Sequence, residues 1–150
     1  MKFTHKLTLL FVLVLTAFTN GYAFGDSGDR IIGVWLTASK NAKIQIYKSN
    51  DRYFGRIIWA DDLYEADGKT LRHDSKNEDP SKRNRTIKGL VLLNSFNYKD
   101  GVWADGTIYD PQNGKTYKCK MELKNSDLHI RGYIGISMFG RTEVWQKLEK

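Results

Sequence analysis

Cysteine is nearly absent from this chain of 150 residues, which contains only Cys119. A single cysteine cannot form an intramolecular disulfide, so the fold must be stabilised by its hydrophobic core. Histidine is also scarce, because His73 and His129 are the only ones outside the N-terminal segment described next. Two scattered histidines and one cysteine lack the spacing of a metal site, so we expect no metal and no cofactor.

Long apolar runs are limited to residues 7–18, near the N-terminus. This twelve-residue segment is short for a membrane span, but it follows a basic segment and precedes small residues that end at Ala23. These three parts are typical of a secretory signal peptide. The sequence therefore predicts a signal peptide over residues 1–23 and a single domain over residues 24–150. We expect that domain to be soluble and either periplasmic or secreted.

Acidic residues are fewer than basic ones, and the formal net charge is +7. The predicted leader holds Lys2 and Lys6 and no acidic residue, so residues 24–150 carry a charge of +5. Basic surfaces attract polyanions. Export makes nucleic acid a poor candidate partner, whereas an anionic component of the cell envelope becomes a reasonable one.

The strongest strand signal lies in residues 102–123. In its second half, charged residues alternate with four apolar ones, and the apolar residues are Tyr117, Cys119, Met121 and Leu123. This period of two gives a strand with one apolar and one solvated face. The segment Asp-Pro-Gln-Asn-Gly at residues 110–114 has the residues that a tight turn requires. The result is a hairpin whose apolar face must be covered.

Eight strand-like segments follow one another along the predicted domain. They cover residues 31–37, 42–48, 53–59, 91–98, 102–109, 115–123, 128–134 and 141–147. Short turns between sequential strands favour an antiparallel meander, and closure into a barrel removes exposed edges. The sequence thus predicts an all-β, eight-stranded antiparallel up-and-down barrel. Its one long loop, residues 60–88, separates strands 3 and 4, and Pro80 indicates a helical turn within it.

Several motifs that carry a family resemblance occur in order along the domain. They are Asp74-x-x-Asn77-x-Asp79-Pro80-x-x-Arg83-x-Arg85, Gly89-Leu90-Val91, Gly-Thr-Ile-Tyr-Asp-Pro at 106–111, Gly-Lys-Thr-Tyr at 114–117, Arg-Gly-Tyr-Ile-Gly at 131–135, and Phe-Gly-Arg-Thr-Glu-Val-Trp at 139–145. With them the chain resembles the DUF2147 family of exported bacterial proteins of unknown function. The resemblance implies a lipocalin-like (calycin) β-barrel in the periplasm or outside the cell. Glu78 and Thr86 occupy positions where the family pattern often has proline. This departure bears on the shape expected for the long loop and not on the barrel.

Gly33 and Trp35 on the first strand resemble the G-x-W signature of lipocalins. In that family the tryptophan closes one end of the barrel and stacks against a basic residue from the last strand. The resemblance implies the same role here for Trp35, with Arg141 or Lys147 as the basic partner.

The apolar positions of the strands give a candidate barrel lining. It consists of Trp35, Ile44, Ile46, Leu92, Phe96, Cys119, Met121, Leu128 and Ile130. Eight strands enclose enough space either for these side chains alone or for one small ligand. A lining of this kind suits a small apolar or amphipathic molecule, since ligand sites are mostly apolar. Both interpretations are open at this stage.

Three further features bear on function. The glycine-bounded apolar loop at residues 135–140 is either an exposed lid or docking patch, or a plug under the barrel. Cys119 lies on an apolar face with no histidine near it in the pattern, which favours a buried hydrophobic role over a catalytic thiol. The basic residues Lys82, Arg83 and Arg85 form a candidate partner surface, or are held by Asp74 or Asp79 within the loop.

The leading hypothesis is an exported, lipocalin-like barrel that binds or carries a small apolar or amphipathic ligand in its interior. The alternative is an envelope interaction protein with a barrel filled by side chains, acting through the basic loop surface. No convergent set of carboxylate, histidine or thiol groups supports an enzyme.

Overall fold

The computed structural model describes residues 27–149, so the predicted signal peptide at residues 1–23 lies outside the described residues. Eight strands make up most of this region. They are β1 (Gly33–Leu36), β2 (Ala42–Ser49), β3 (Arg52–Ala60), β4 (Val91–Lys99), β5 (Val102–Asp110), β6 (Lys115–Lys124), β7 (Asp127–Tyr133) and β8 (Arg141–Leu148). Three short 3₁₀ helices accompany them, η1 (Gly28–Ile31), η2 (Pro80–Lys82) and η3 (Ser137–Phe139).

The strands form one closed antiparallel barrel in sequence order, and pairing of β1 with β8 closes it. The predicted eight-stranded up-and-down barrel is therefore confirmed. The long loop lies between β3 and β4, and η2 provides the helical turn expected at Pro80. The first strand is shorter than predicted, because Ile31 belongs to η1.

One end of the barrel is sealed by η1, and we call it the closed end. The indole nitrogen of Trp35 donates to the carbonyl oxygen of Ile31 at 2.8 Å, and that of Trp103 donates to Gly28 at 3.1 Å. Both indoles and the side chain of Ile31 are fully buried. The turns that join β1 to β2, β5 to β6 and β7 to β8 lie at the opposite end, with the long loop.

The interior is tightly packed where β3, β4 and β5 meet. A Cβ atom added to Gly106 would lie 2.5 Å from the ring of Phe96, and one added to Gly55 would lie 2.8 Å from Leu93. Glycine thus lets two large side chains lie directly on the neighbouring backbone. This close approach fills space that a ligand would otherwise need.

The long loop is folded onto the barrel. Two isolated bridges organise it, Tyr64 with Leu71 and His73 with Thr86. Leu63 lies in the hydrophobic core, and so does Leu90, whose carbonyl accepts from the amide of Ile57. The loop is therefore an integral part of the domain.

Candidate ligand-binding site

The residues predicted to line the barrel are all buried. Trp35, Ile44, Ile46, Leu92, Phe96, Cys119, Met121, Leu128 and Ile130 belong to one hydrophobic core, and each is at most 7% exposed. Of these nine, only Leu92 borders either of the two cavities described below. The others pack against one another and against further core side chains.

Leu92 occupies a different position from the one that simple alternation predicts. The positive φ of Ser95 marks a bulge in β4, and the pairing of β4 with β3 shifts register at this point. The shift places Leu93, which is fully buried over Gly55, on the interior face together with Phe96. Leu92 instead borders a cavity between the long loop and the barrel wall.

The basic residue over Trp35 is Lys147. Its ammonium lies 5.5 Å from the centroid of the Trp35 ring and donates to the carbonyl oxygen of Arg30 at 2.8 Å. Gly33, the first residue of the G-x-W motif, leaves room for it, since a Cβ there would lie 3.0 Å from the Lys147 side chain. Arg141, the other candidate, is paired with Gly132 at the start of β8, six residues from Lys147, so the contact with Trp35 is made by Lys147 and not by Arg141.

A buried carboxylate organises the second half of the long loop. Asp74 is 1% exposed, and its oxygens accept from the amide of Asn77 at 2.8 Å, from Arg85 at 2.7 Å and from the hydroxyl of Tyr109. We call these four residues the Asp74 cluster. Three donors satisfy the charge that burial would otherwise penalise, and Tyr109 belongs to β5. The cluster therefore fastens the loop to the barrel.

Tyr109 is half-buried at the edge of the Asp74 cluster. Burial and the bond to Asp74 raise the pKa of the Tyr109 hydroxyl to about 12. Its ring also lies 5.9 Å from the guanidinium carbon of Arg85. The hydroxyl therefore stays protonated and acts as a hydrogen-bond donor at any physiological pH.

A second contact holds the loop against the β5–β6 turn. The ammonium of Lys76 donates to the carbonyl oxygen of Gln112 at 2.8 Å. Gly114, with a φ of 76°, lies directly against the backbone of Lys76, where a Cβ would meet the carbonyl oxygen at 1.9 Å. Only glycine fits this position without moving the loop.

A cavity of about 320 Å³, which we call the loop cavity, lies between the loop and the barrel wall. Its lining residues are Asn77, Glu78, Asp79, Lys82, Arg85, Val91, Leu92, Asn94, Thr107, Tyr109, Gly114 and Thr116. Asn94 pairs with Thr107, and Tyr109 with Thr116, across neighbouring strands. The cavity therefore spans the outer surface of β4, β5 and β6.

Three uncharged polar side chains of the loop cavity have no partner within residues 27–149, and these are Asn94, Thr107 and Thr116. They offer an amide and two hydroxyls to a ligand. The charged groups Glu78, Asp79, Lys82 and Arg85 balance to zero, so no single sign of charge dominates. Val91 and Leu92 supply apolar surface. This combination suits a small molecule with hydroxyl or amide groups and an apolar part.

The basic residues predicted as a partner surface are engaged within the loop. Lys82 pairs with Asp79 at 3.0 Å, and Arg83 donates to the carbonyl oxygen of Asn77 at 2.7 Å. Arg85 is bound to Asp74, as the second interpretation of the sequence expected. Bonds from Ser81, followed by Lys82, lower the pKa of the Asp79 carboxyl to about 2. These contacts give the basic side chains a structural role.

Another cavity, of about 420 Å³, lies at the closed end beside Gly28, Asp29 and Lys48. The hydroxyl of Tyr53 and the ammonium of Lys48 both donate to Asp29, at 2.6 and 3.0 Å. It borders Ser27, the first described residue, and we assign no site to it.

Other candidate chemistry is sparse in the described part of the chain. Burial raises the pKa of the Cys119 thiol to about 12, so the thiol stays protonated. Residues 27–149 contain no group of three or more His, Cys, Asp or Glu side chains that could hold a metal ion. None of the helices in this range is long and apolar enough to cross a membrane.

The closed eight-stranded antiparallel barrel, with Trp35 at one end beside a basic residue of the last strand, has a lipocalin-like fold. The DUF2147 family model, described as an uncharacterized protein conserved in bacteria, matches residues 33–147, and the chain belongs to this family. Among solved structures, it is similar to protein HP1028 from the human pathogen Helicobacter pylori, which is described as belonging to the lipocalin family. The TM-score is 0.67 at 23% identity, over 79% of this chain and 82% of that one. No curated protein sequence matches the chain.

Most of the loop cavity was not predicted as a site. Its motif residues Asp74, Asn77 and Tyr109 were visible in the sequence, but only as marks of the family. Asn94 and Thr107 carry no local signal, since each is an ordinary polar residue on an outward strand face. Strand register and loop folding bring them together.

Proposed function

We propose that this chain is an exported, non-enzymatic binding protein that takes a small, uncharged amphipathic molecule in the loop cavity. The volume of about 320 Å³ lies at the small end of the range for ligand sites. Such a molecule fits the class expected from the sequence, but it binds on the barrel wall. The packed interior argues against a ligand site inside the barrel, because the side chains of Phe96 and Leu93 occupy the space between the strands.

The observation that carries the proposal is the contrast around one cavity between polar groups that are bonded within the protein and polar groups that have no protein partner in the described residues. The buried carboxylate of Asp74 has three donors, and these bonds fix Tyr109 and Arg85 at the cavity wall. Asn94 and Thr107, directly across from each other on β4 and β5, have none. A rigid wall that presents free donors and acceptors beside apolar surface is what a preorganised site needs.

The charge balance of the cavity sets the expected specificity. Lys82 and Arg85 are already paired with Asp79 and Asp74, so an anionic ligand gains little from them, and the exposed carboxylate of Glu78 offers a cation only a solvent-screened attraction. A neutral molecule avoids the cost of desolvating its own charge. We therefore expect hydroxylated or amide-containing amphiphiles to bind better than fatty acids or alkylamines.

The test compares three probes with the same hexyl chain: hexyl β-glucoside, hexanoate and hexylamine. We expect only the glucoside to shift backbone amide signals of residues 91–94 and 107–109 in NMR titrations. Asn94→Ala should weaken its binding about tenfold, because one good hydrogen bond is lost. Gln146→Ala, an exposed amide on β8 on the far side of the barrel, is the control and should bind as the original chain does.

Equal binding of all three probes, or signal changes confined to core residues such as Met121 and Ile130, would contradict the loop cavity as the site. Export is a separate part of the proposal. It requires that protein recovered from the periplasm or medium begins near Phe24, and N-terminal sequencing decides it.

The alternative function, envelope binding through the basic loop, has less support. Lys82, Arg83 and Arg85 each contact a partner inside the loop. An anionic partner would have to compete with those bonds. Charge reversal at these positions would also disturb the fold, so loss of binding there would not identify a contact surface.

A further inference from the structure

The apolar loop between β7 and β8 is exposed. Four large side chains project from residues 134–139, with exposed fractions of 76% for Ile134, 58% for Ile136, 74% for Met138 and 80% for Phe139. Single exposed apolar residues are normal on protein surfaces, but four within six residues form a patch. The sequence left open whether this loop is exposed or plugs the barrel, and the structure places it outside.

The backbone of the apolar loop is held in place from below. The guanidinium of Arg131 donates to the carbonyl oxygens of Ser137 at 2.6 Å and Met138 at 2.9 Å, and also to the hydroxyl of Thr142. Gly140 lies against β7, where a Cβ would be 2.6 Å from the carbonyl oxygen of Gly132. The loop is thus anchored by its polar backbone, and its apolar side chains are free for a partner.

Unpaired cations flank the apolar loop, which itself contains no charged residue. Arg141 follows it directly, and Lys118 on β6 pairs with Tyr133 at its other side. Both cations are exposed, and neither has an acidic partner within residues 27–149. Apolar tips bordered by free positive charges match an anionic bilayer surface, where acyl chains take up the tips and headgroups neutralise the cations.

We propose that the apolar loop inserts into the surface of an anionic lipid bilayer and docks the barrel there by the end opposite the closed end. The shape favours lipid over a folded protein partner, because a single protruding turn with radiating side chains offers no groove or flat face. A bilayer surface deforms around such a turn. The proposal does not rest on the loop cavity, because none of the four apolar side chains lines that cavity, although Lys118 pairs with its residue Thr107.

The test is co-sedimentation of the purified protein with vesicles of phosphatidylcholine alone or with 30% phosphatidylglycerol. We expect binding to the mixed vesicles that weakens as salt is raised. The double variant Met138→Ser, Phe139→Ser should lose at least tenfold in partitioning, since two exposed apolar side chains no longer enter the acyl layer. Because both residues are exposed, we expect the fold to be unchanged by circular dichroism.

Further variants separate the electrostatic contribution to vesicle binding from the apolar one. Lys118→Gln and Arg141→Gln should each reduce binding to the mixed vesicles about fivefold and leave weak binding to neutral vesicles unchanged. Val144→Thr, a change of similar kind on an exposed outer position of β8, is the control and should have no effect.

Two results would overturn the proposal. One is equal sedimentation of the serine double variant and the original chain. The other is an absence of vesicle binding together with a concentration-dependent dimer that Phe139→Ser abolishes, which would assign the loop to contact with a second copy.

Discussion

Asp74 fastens the long loop to the barrel through its buried carboxylate. A carboxylate that is 1% exposed is costly unless its oxygens are fully hydrogen-bonded, and here Asn77, Arg85 and Tyr109 provide the donors. Loss of one donor leaves a buried charge partly unsatisfied. The cost of such a change exceeds the value of an average hydrogen bond, because the penalty is that of the group left behind.

Replacement of Tyr109 by phenylalanine tests this directly. The variant keeps the ring beside Arg85 but removes the hydroxyl that donates to Asp74. We expect the free energy of unfolding to fall by about 1–3 kcal/mol, measured by urea denaturation. Tyr64→Phe is the control, since Tyr64 is 45% exposed and should change stability by no more than about 0.5 kcal/mol. Equal effects of the two variants would mean that the Tyr109 hydroxyl contributes no more to the free energy of unfolding than an exposed tyrosine hydroxyl does.

At the level of single residues, the sequence predicted some side-chain contacts and missed others. Burial of Trp35 and its contact with a basic residue follow from the G-x-W resemblance, but the choice between Arg141 and Lys147 depends on the register of β8 against β1. Trp35 is paired with Lys147 in that register. Alternation along one strand predicts which face of the sheet a residue occupies, but it does not predict which residue of a distant strand lies beside it. The bond between Asp74 and Tyr109 also joins residues that are distant in the sequence, so it could not be predicted either.

At the scale of the elements, alternation and turn residues located all eight strands because each hairpin is a local feature. The bulge at Ser95 could not be read in the same way. A residue with a positive φ is inserted there, so Leu93 and Phe96, three positions apart, share the interior face. A strict period of two instead predicts Leu92 and Phe96. The long loop showed its helical turn at Pro80, but its folding onto β5 and β6 depends on long-range bonds.

The contact between the loop and the β5–β6 turn predicts a strong effect of Gly114→Ala. The new Cβ would meet the carbonyl oxygen of Lys76, and the positive φ adds backbone strain. Gly68→Ala, in the long loop, is a matched control with a φ of 66° and open space around it. We expect Gly68→Ala to cost about 1–2 kcal/mol from strain alone, and Gly114→Ala about 1–3 kcal/mol more from overpacking.

Hydrogen exchange shows where the effect of Gly114→Ala lies. The amides of Asp74 and Asn77, which donate to backbone carbonyls inside the loop, should exchange faster in this variant, whereas amides of the β6–β7 ladder should not. Unchanged protection of the loop amides would mean that the loop adapts locally and that the contact does not hold it in place.

For the whole molecule, the packing of the barrel decides where function can reside. The closed end is sealed by η1, Trp35 and Trp103, and Phe96 and Leu93 lie on glycine backbone in the middle. Eight strands could equally have enclosed a cavity. Within the described residues the inward side chains pack against one another, and both proposed sites lie outside this packed interior.

Phe96→Ala tests whether the interior is filled. Removing this fully buried ring should lower the free energy of unfolding by about 3–5 kcal/mol and leave an apolar cavity over Gly106. Such a cavity binds small apolar molecules, so toluene should raise the melting temperature of the variant in calorimetry and leave that of the original chain unchanged. Phe54→Ala is the control, because Phe54 is half-buried and stacks on Tyr47, outside the core cluster, and its loss opens no enclosed space. Stabilisation of the original chain by toluene would show that the barrel already holds an accessible cavity, and the interior would again be the first candidate for the ligand.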